Sequence, residues 1–181
     1  MTLIKTRARG LKLDDTFAFT GTVSGTGGIA MLDQWRTTGG QTHNVDPVQS
    51  LERVDTDGFS GIGTGMSQAS GIFTFPQTGI YHIIANFGWY RNQNDRLIQG
   101  QIITTTDNSS YSEAATCYGH TVNGLGDSVY SSGSCSFIFD VTSTSTHKVK
   151  FGSFAQDSAT VLVGNTNASR THFTFIRFGD T

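Results

Sequence analysis

The chain carries five histidines, His43, His82, His120, His147 and His172, the side chains best suited to moving protons near neutral pH. They are scattered: no His-x-x-x-His pair and no His-Glu-x-x-His run places two imidazoles on one helical face. No Gly-x-Ser-x-Gly elbow and no phosphate loop accompanies them. The expectation is a protein that is not an enzyme, with histidines serving as hydrogen-bonded side chains. Asp55-Thr56-Asp57-Gly58 spaces two carboxylates as a hard cation would need. It lacks the remaining ligands of a calcium loop, so the run reads first as a turn, with Asp55 and Asp57 as the candidate metal ligands and calcium as the candidate ion. Tyr90 with Arg91, Asn92 and Asn94 joins a ring face to amides and a cation, the chemistry that stacks on and hydrogen-bonds a glycan. Tyr111, Tyr118 and Tyr130 offer the same in other polar segments. Cys117 and Cys135 are too sparse for a disulfide framework; two buried thiols are expected ahead of one bridge between neighbouring strands.

The elements that must position these groups are strands. From Tyr81 the residues Tyr81, Ile83, Ala85, Phe87 and Trp89 recur at period two, which describes a strand with one buried face. The opposite parity holds Ile80, His82, Ile84 and Asn86, so the second face is also largely apolar. The last strand, Thr171 to Phe178, repeats this two-faced pattern. So apolar a strand at a sheet edge is an aggregation hazard, which places it centrally. Cys135, Phe137, Phe139 and Val141 form another one-face ladder. Further strands are expected around 29–37, 73–75, 97–105, 114–118, 148–154 and 159–163, with a crossing connection and strand over 44–54. Phe59 to Gly71 reads as a loop anchored by Ile62 and Met66. Phe75-Pro76-Gln77-Thr78-Gly79 is a tight corner, and Asp107-Asn108-Ser109-Ser110 a hairpin turn.

Composition agrees. Glycine is abundant (22 residues) and proline scarce (2), and no helix of ordinary length is evident, which suits many short strands joined by small-residue turns. A net charge of −2 argues against nucleic acid as the partner of the body. Lys5, Arg7, Arg9 and Lys12 all precede the first acid, Asp14, so the opening segment is basic and suits an acidic surface on a partner. Phe17 and Phe19 follow at strand spacing. Gly25-Thr26-Gly27-Gly28 reads as a flexible joint, dividing an N-terminal arm, 1–28, from a body, 29–181. The first residues lack the apolar run of a signal peptide and no segment reaches bilayer-spanning length, so membrane insertion is not expected.

Two resemblances sharpen this reading. Gly71-Ile72-Phe73-Thr74-Phe75-Pro76-Gln77-Thr78-Gly79-Ile80-Tyr81 resembles the hallmark of complement C1q-like domains, and His172 to Phe178 resembles that family's closing strand. The resemblance spans about residues 29–181 and implies the all-β, two-sheet jelly roll shared by C1q and tumour necrosis factor heads, trimeric about an axis lined by inner-sheet residues. On that basis Ile80, His82, Ile84, His172, Phe173, Phe175, Ile176 and Phe178 are the expected trimer contacts. No collagen-type Gly-x-y repeat exists, so complement function is not implied. The segment from Leu3 to Gly21 resembles the openings of virion structural proteins from tailed phages, marine ones especially.

Together the resemblances imply a homotrimeric virion protein, assembled in the host cytoplasm. Its arm (Lys5, Arg7, Arg9, Lys12, Phe17, Phe19) would attach to other virion proteins. A tail-fibre or receptor-binding knob, contacting a host surface glycan, is the first expectation. A capsid decoration protein is the second, and a lectin-like carbohydrate-binding module the third.

Overall fold

A computed structural model describes residues 28–42, 44–122 and 126–180. The arm residues Lys5, Arg7, Arg9, Lys12, Phe17 and Phe19, and His43, lie outside the described residues. Among the described residues there are strands and no helix. They are β1 (Met31–Thr37), β2 (Gln41–Thr42), β3 (Leu51–Arg53), β4 (Ser67–Ala69), β5 (Ile72–Thr74) and β6 (Gly79–Arg91). Then come β7 (Asp95–Thr105), β8 (Ser112–Thr121), β9 (Val129–Val141), β10 (Lys148–Ala155), β11 (Val161–Leu162) and β12 (His172–Gly179).

The strands form two antiparallel sheets packed as a sandwich. One runs β2-β11-β6-β12-β1-β3, with β9 on the other side of β6. The second runs β4-β5-β10-β7-β8. The closing strand β12 sits between β6 and β1, as its two apolar parities demand. The corner before β6 works through Gly79: its φ of 138° lies where side chains are strained, and an added Cβ would sit 2.2 Å from the Gly179 carbonyl oxygen. Tyr81 closes the same corner by donating its hydroxyl to the Gln77 carbonyl at 2.8 Å.

The core is aromatic. Tyr81, Ile83, Ala85, Phe87 and Trp89 of β6 point inward and are buried, as period two requires. Phe173 of β12 lies flat against Phe151 of β10, ring centroids 3.7 Å apart. Phe73 meets Phe175 at 5.1 Å and Trp35 edge-on at 5.5 Å. Phe173 and Phe175 are therefore core residues, 0 % exposed, and their expected place at a trimer interface is corrected. The physical reason is parity. Phe173 and Phe175 take the face of β12 that meets Phe151 and Phe73 of the opposite sheet, while His172, Thr174, Ile176 and Phe178 take the other.

Two buried charges fix the corner around β1 and β3. Asp33, 2 % exposed, accepts hydrogen bonds from Trp35 Nε1 (2.9 Å), Arg53 Nε (2.9 Å) and the Met66 amide (2.7 Å). This ties the 59–66 loop to the sheet and gives a buried carboxylate the donors it needs. Arg36, 1 % exposed, spans Glu52 (2.7 Å), Asp55 (2.8 Å) and Thr56 (2.9 Å). The Arg36 hydrogen bond holds the Glu52 carboxyl below its ordinary range.

Replacing Phe173 by Ala should cost about 3–5 kcal/mol, the usual range for emptying an aromatic site in a core. Urea unfolding checks this, and a change under about 1 kcal/mol would place Phe173 outside the core.

Candidate functional site

The face of the larger sheet that points away from the sandwich carries the other parity of β6, β9, β12 and β1. Cross-strand register sets its rows. Leu32, Ile176, His82 and Ile138 stand side by side across four strands. Gln34, Thr174, Ile84 and Ser136 form the next row. Phe178 stacks over His82, ring centroids 6.3 Å apart. Ile138 is 54 % exposed and Phe178 49 %, while Leu32, Ile80, His82, Ile84 and Ile176 are half-buried. The result is a band of aliphatic and aromatic side chains, with a histidine at its centre, that no element of the chain covers among the described residues. Of the expected interface residues, Ile80, His82, Ile84, Ile176, Phe178 and His172 lie on this face.

His172 borders the band. Asn86 Nδ2 stands 3.2 Å from His172 Nε2, and with the amide in this orientation the contact needs an unprotonated Nε2. Nδ1 is buried beside the Ser169 main chain without a hydrogen bond of good geometry. Burial pushes this imidazole below the ordinary histidine range, against a smaller upward pull from the Ser169 backbone.

Further along β6 the face changes character. Gly88 presents no side chain, and beside it opens a recess of about 440 Å³ lined by Tyr130, Ser132, Val163 and Arg170. Tyr130 is 68 % exposed and tilts against Tyr90 at 5.8 Å. Among the described residues no ion pair engages Arg170. A ring face, the Ser132 hydroxyl and a guanidinium suit a sugar bearing a carboxylate.

The glycan constellation expected from sequence does not assemble as such. Tyr90 faces outward beside Tyr130, whereas Arg91 turns to Asp157 at 2.8 Å. Asn94 lines a separate recess with Asp95, Arg96, Gln156 and Asp157, and Asn92 likewise has partners of its own. The arginine beside the exposed tyrosine is Arg170, about 40 positions away in the chain, and no local motif signals that pairing. Asp55 gives its carboxylate to Arg36, and Asp57 accepts from the Thr56 hydroxyl at 3.1 Å. Asp57 and Gly58 take positive φ, 56° and 75°, so the run is a turn locked by an arginine. Among the described residues no three His, Cys, Asp or Glu side chains converge as a metal site.

No family model matches the chain, and no curated protein sequence matches it. Solved structures do. Murine APRIL at pH 5.0 superposes with a TM-score of 0.56 at 13% identity, covering 81% of this chain and 98% of that one. The Eiger TNF of S. frugiperda gives 0.57 at 8% identity, covering 83% and 93%. The fold is that of a tumour necrosis factor-like jelly roll, in accord with the hallmark run Gly71 to Tyr81.

His172 yields a pH prediction. Its folded-state value lies below the unfolded value of about 6.5, so between the two the folded protein binds fewer protons. Stability is whole above that range and is lost as pH falls through the folded value. Thermal melts from pH 7 down to 5 should show a falling Tm, and His172→Gln should flatten the slope. An unchanged slope in the variant would remove His172 as its source.

Proposed function

We propose that this chain is a non-enzymatic structural protein of a tailed-phage virion, assembled as a homotrimer and serving as a receptor-binding knob. The observation that carries the reading is the uncovered band of Leu32, Ile176, His82, Ile138, Ile84 and Phe178 on the larger sheet of a tumour necrosis factor-like sandwich. A sheet whose inner face fills the core and whose outer face is also apolar leaves the second face to other chains. Copies related by closed rotational symmetry present it to one another without leaving an open end. Removing such surface from water is worth about 25 cal/mol per Å² before the costs of association.

Support for the virion comes from the opening segment, Leu3 to Gly21, through its resemblance to phage structural proteins. Its basic residues Lys5, Arg7, Arg9 and Lys12 suit an acidic socket, and the apolar Phe17 and Phe19 follow them in the sequence. The recess between Tyr130 and Arg170 lies at the far end of the sheet face from the apolar band, so a trimer formed through the band leaves it available for a host glycan.

Ile84→Asp places a charge in the centre of the band without touching the core. The variant should keep the wild-type circular dichroism spectrum and sediment at the mass of one 19.5 kDa chain, while the wild type sediments at three times that. A variant that still forms trimers would move the interface elsewhere. Electron microscopy of particles labelled with antibody to the chain should show label at the tail tip. Label over the shell would instead make it a decoration protein, and particles without label would end the virion reading.

A further inference from the structure

The two cysteines belong to different sheets. Cys117 lies in β8 opposite Gly100 of β7, and Cys135 lies in β9 opposite Ala85 of β6. Both strands are the outer strands of their sheets on one side of the sandwich. The two edges approach closely here because glycines leave room. An added Cβ at Gly133 of β9 would sit 2.9 Å from Cys117 Sγ, and one at Gly119 of β8 would sit 2.8 Å from Ser131 Oγ. Both thiols aim at the same acceptor, the Gly100 carbonyl oxygen, Cys117 Sγ at 3.5 Å and Cys135 Sγ at 3.9 Å. Sharing that acceptor, each thiol shifts the proton affinity of the other. Each is 8–9 % exposed, at the rim of the core rather than its centre.

We propose that Cys117 and Cys135 form a redox-sensitive site that closes to a disulfide between the two sheets on meeting a low-molecular-weight disulfide. The order of events follows from the asymmetry of the pair around the Gly100 carbonyl. The neighbouring Cys135 thiol lowers the Cys117 pKa against the effect of burial, while Cys135 itself is pushed far up. Cys117 is therefore the attacking thiolate. It displaces one thiolate from the small disulfide and becomes a mixed disulfide, and the departing thiolate takes up a proton. The Cys135 sulfur, giving its proton to solvent or to that thiolate, then attacks the Cys117 sulfur and releases the second small thiol. Two cysteine thiols are oxidised, and one small disulfide is reduced to two thiols.

The new bond joins edges that share no β-ladder. β8 is hydrogen-bonded to β7 and β9 to β6, so among the described residues side-chain contacts, the Cys135 thiol on the Gly100 carbonyl among them, hold these edges together. A covalent link there restricts the unfolded chain and keeps the edges from parting. A chain folded with both thiols in a reducing compartment would gain this staple on reaching an oxidising one.

The test uses the full-length chain and oxidised glutathione. Intact mass should fall by two hydrogens per chain, thiol titration in denaturant should drop from two groups to none, and peptide mapping should link Cys117 to Cys135. Tm should rise by several degrees and return with dithiothreitol. Cys135→Ser should stop at a single glutathione adduct on Cys117, and Cys117→Ser should react far more slowly. Two titratable thiols after prolonged exposure of the folded wild type would overturn the proposal, as would separate glutathione adducts on both residues.

Discussion

The structure depends on how β6 and β12 divide their side chains between two environments. Their inward parity, Tyr81 to Trp89 and Phe173 with Phe175, fills the space between the sheets and is sealed from water. Their outward parity, Ile80, His82, Ile84, Ile176 and Phe178, is apolar as well and remains uncovered among the described residues. A single sandwich can satisfy one face of its larger sheet, not both. Aromatic bulk decides which parity turns inward: Phe173 finds Phe151 at 3.7 Å and Phe175 finds Phe73 at 5.1 Å, contacts that the slimmer aliphatic parity could not fill.

Around this central pair the remaining features fix the limits of the sheets. Asp33 and Arg36, on opposite parities of β1, each gather a surrounding segment: Asp33 takes Arg53 and the Met66 amide, and Arg36 takes Glu52, Asp55 and Thr56. Each buried charge is matched, so these contacts define which loop lies where more than they add net stability. Arg36 also shields the sheet face at its β3 end, which confines the apolar band to β6, β9, β12 and the start of β1. On the opposite flank β8 and β9 lean together over glycines, with the cysteine pair between them. One flank is thus held by ion pairs and the other by side-chain packing and the thiol contacts to the Gly100 carbonyl.

Much of this was legible in the chain. Period two marked β6 and the 135–141 ladder of β9, and the two-parity pattern placed β12 in the middle of a sheet. The Gly71–Tyr81 run pointed to the jelly roll that the structural neighbours show. Other parts were not legible, for identifiable reasons. β9 begins at Val129 rather than near Ser134 because Ser131, Ser132 and Gly133 carry no apolar alternation, their pairing being set by the length of β6. β4, Ser67–Ala69, is a short edge strand inside a glycine-rich run that reads as loop. For β12 the pattern showed two apolar faces but could not say which one meets the opposite sheet, hence the misplacement of Phe173 and Phe175. Tyr130 with Arg170, and Asp33 with Arg53, are juxtapositions created by folding across long stretches of chain, and short motifs do not encode them.

The central claim is that the outward face of β6, β12 and β9 is buried between three identical chains. Native mass spectrometry of the wild-type chain through serial dilution measures this directly. A dominant three-chain ion, persisting on dilution, is the expected result. A single-chain ion at every concentration would contradict it, and the exposed isoleucines and Phe178 would then be surface without a partner.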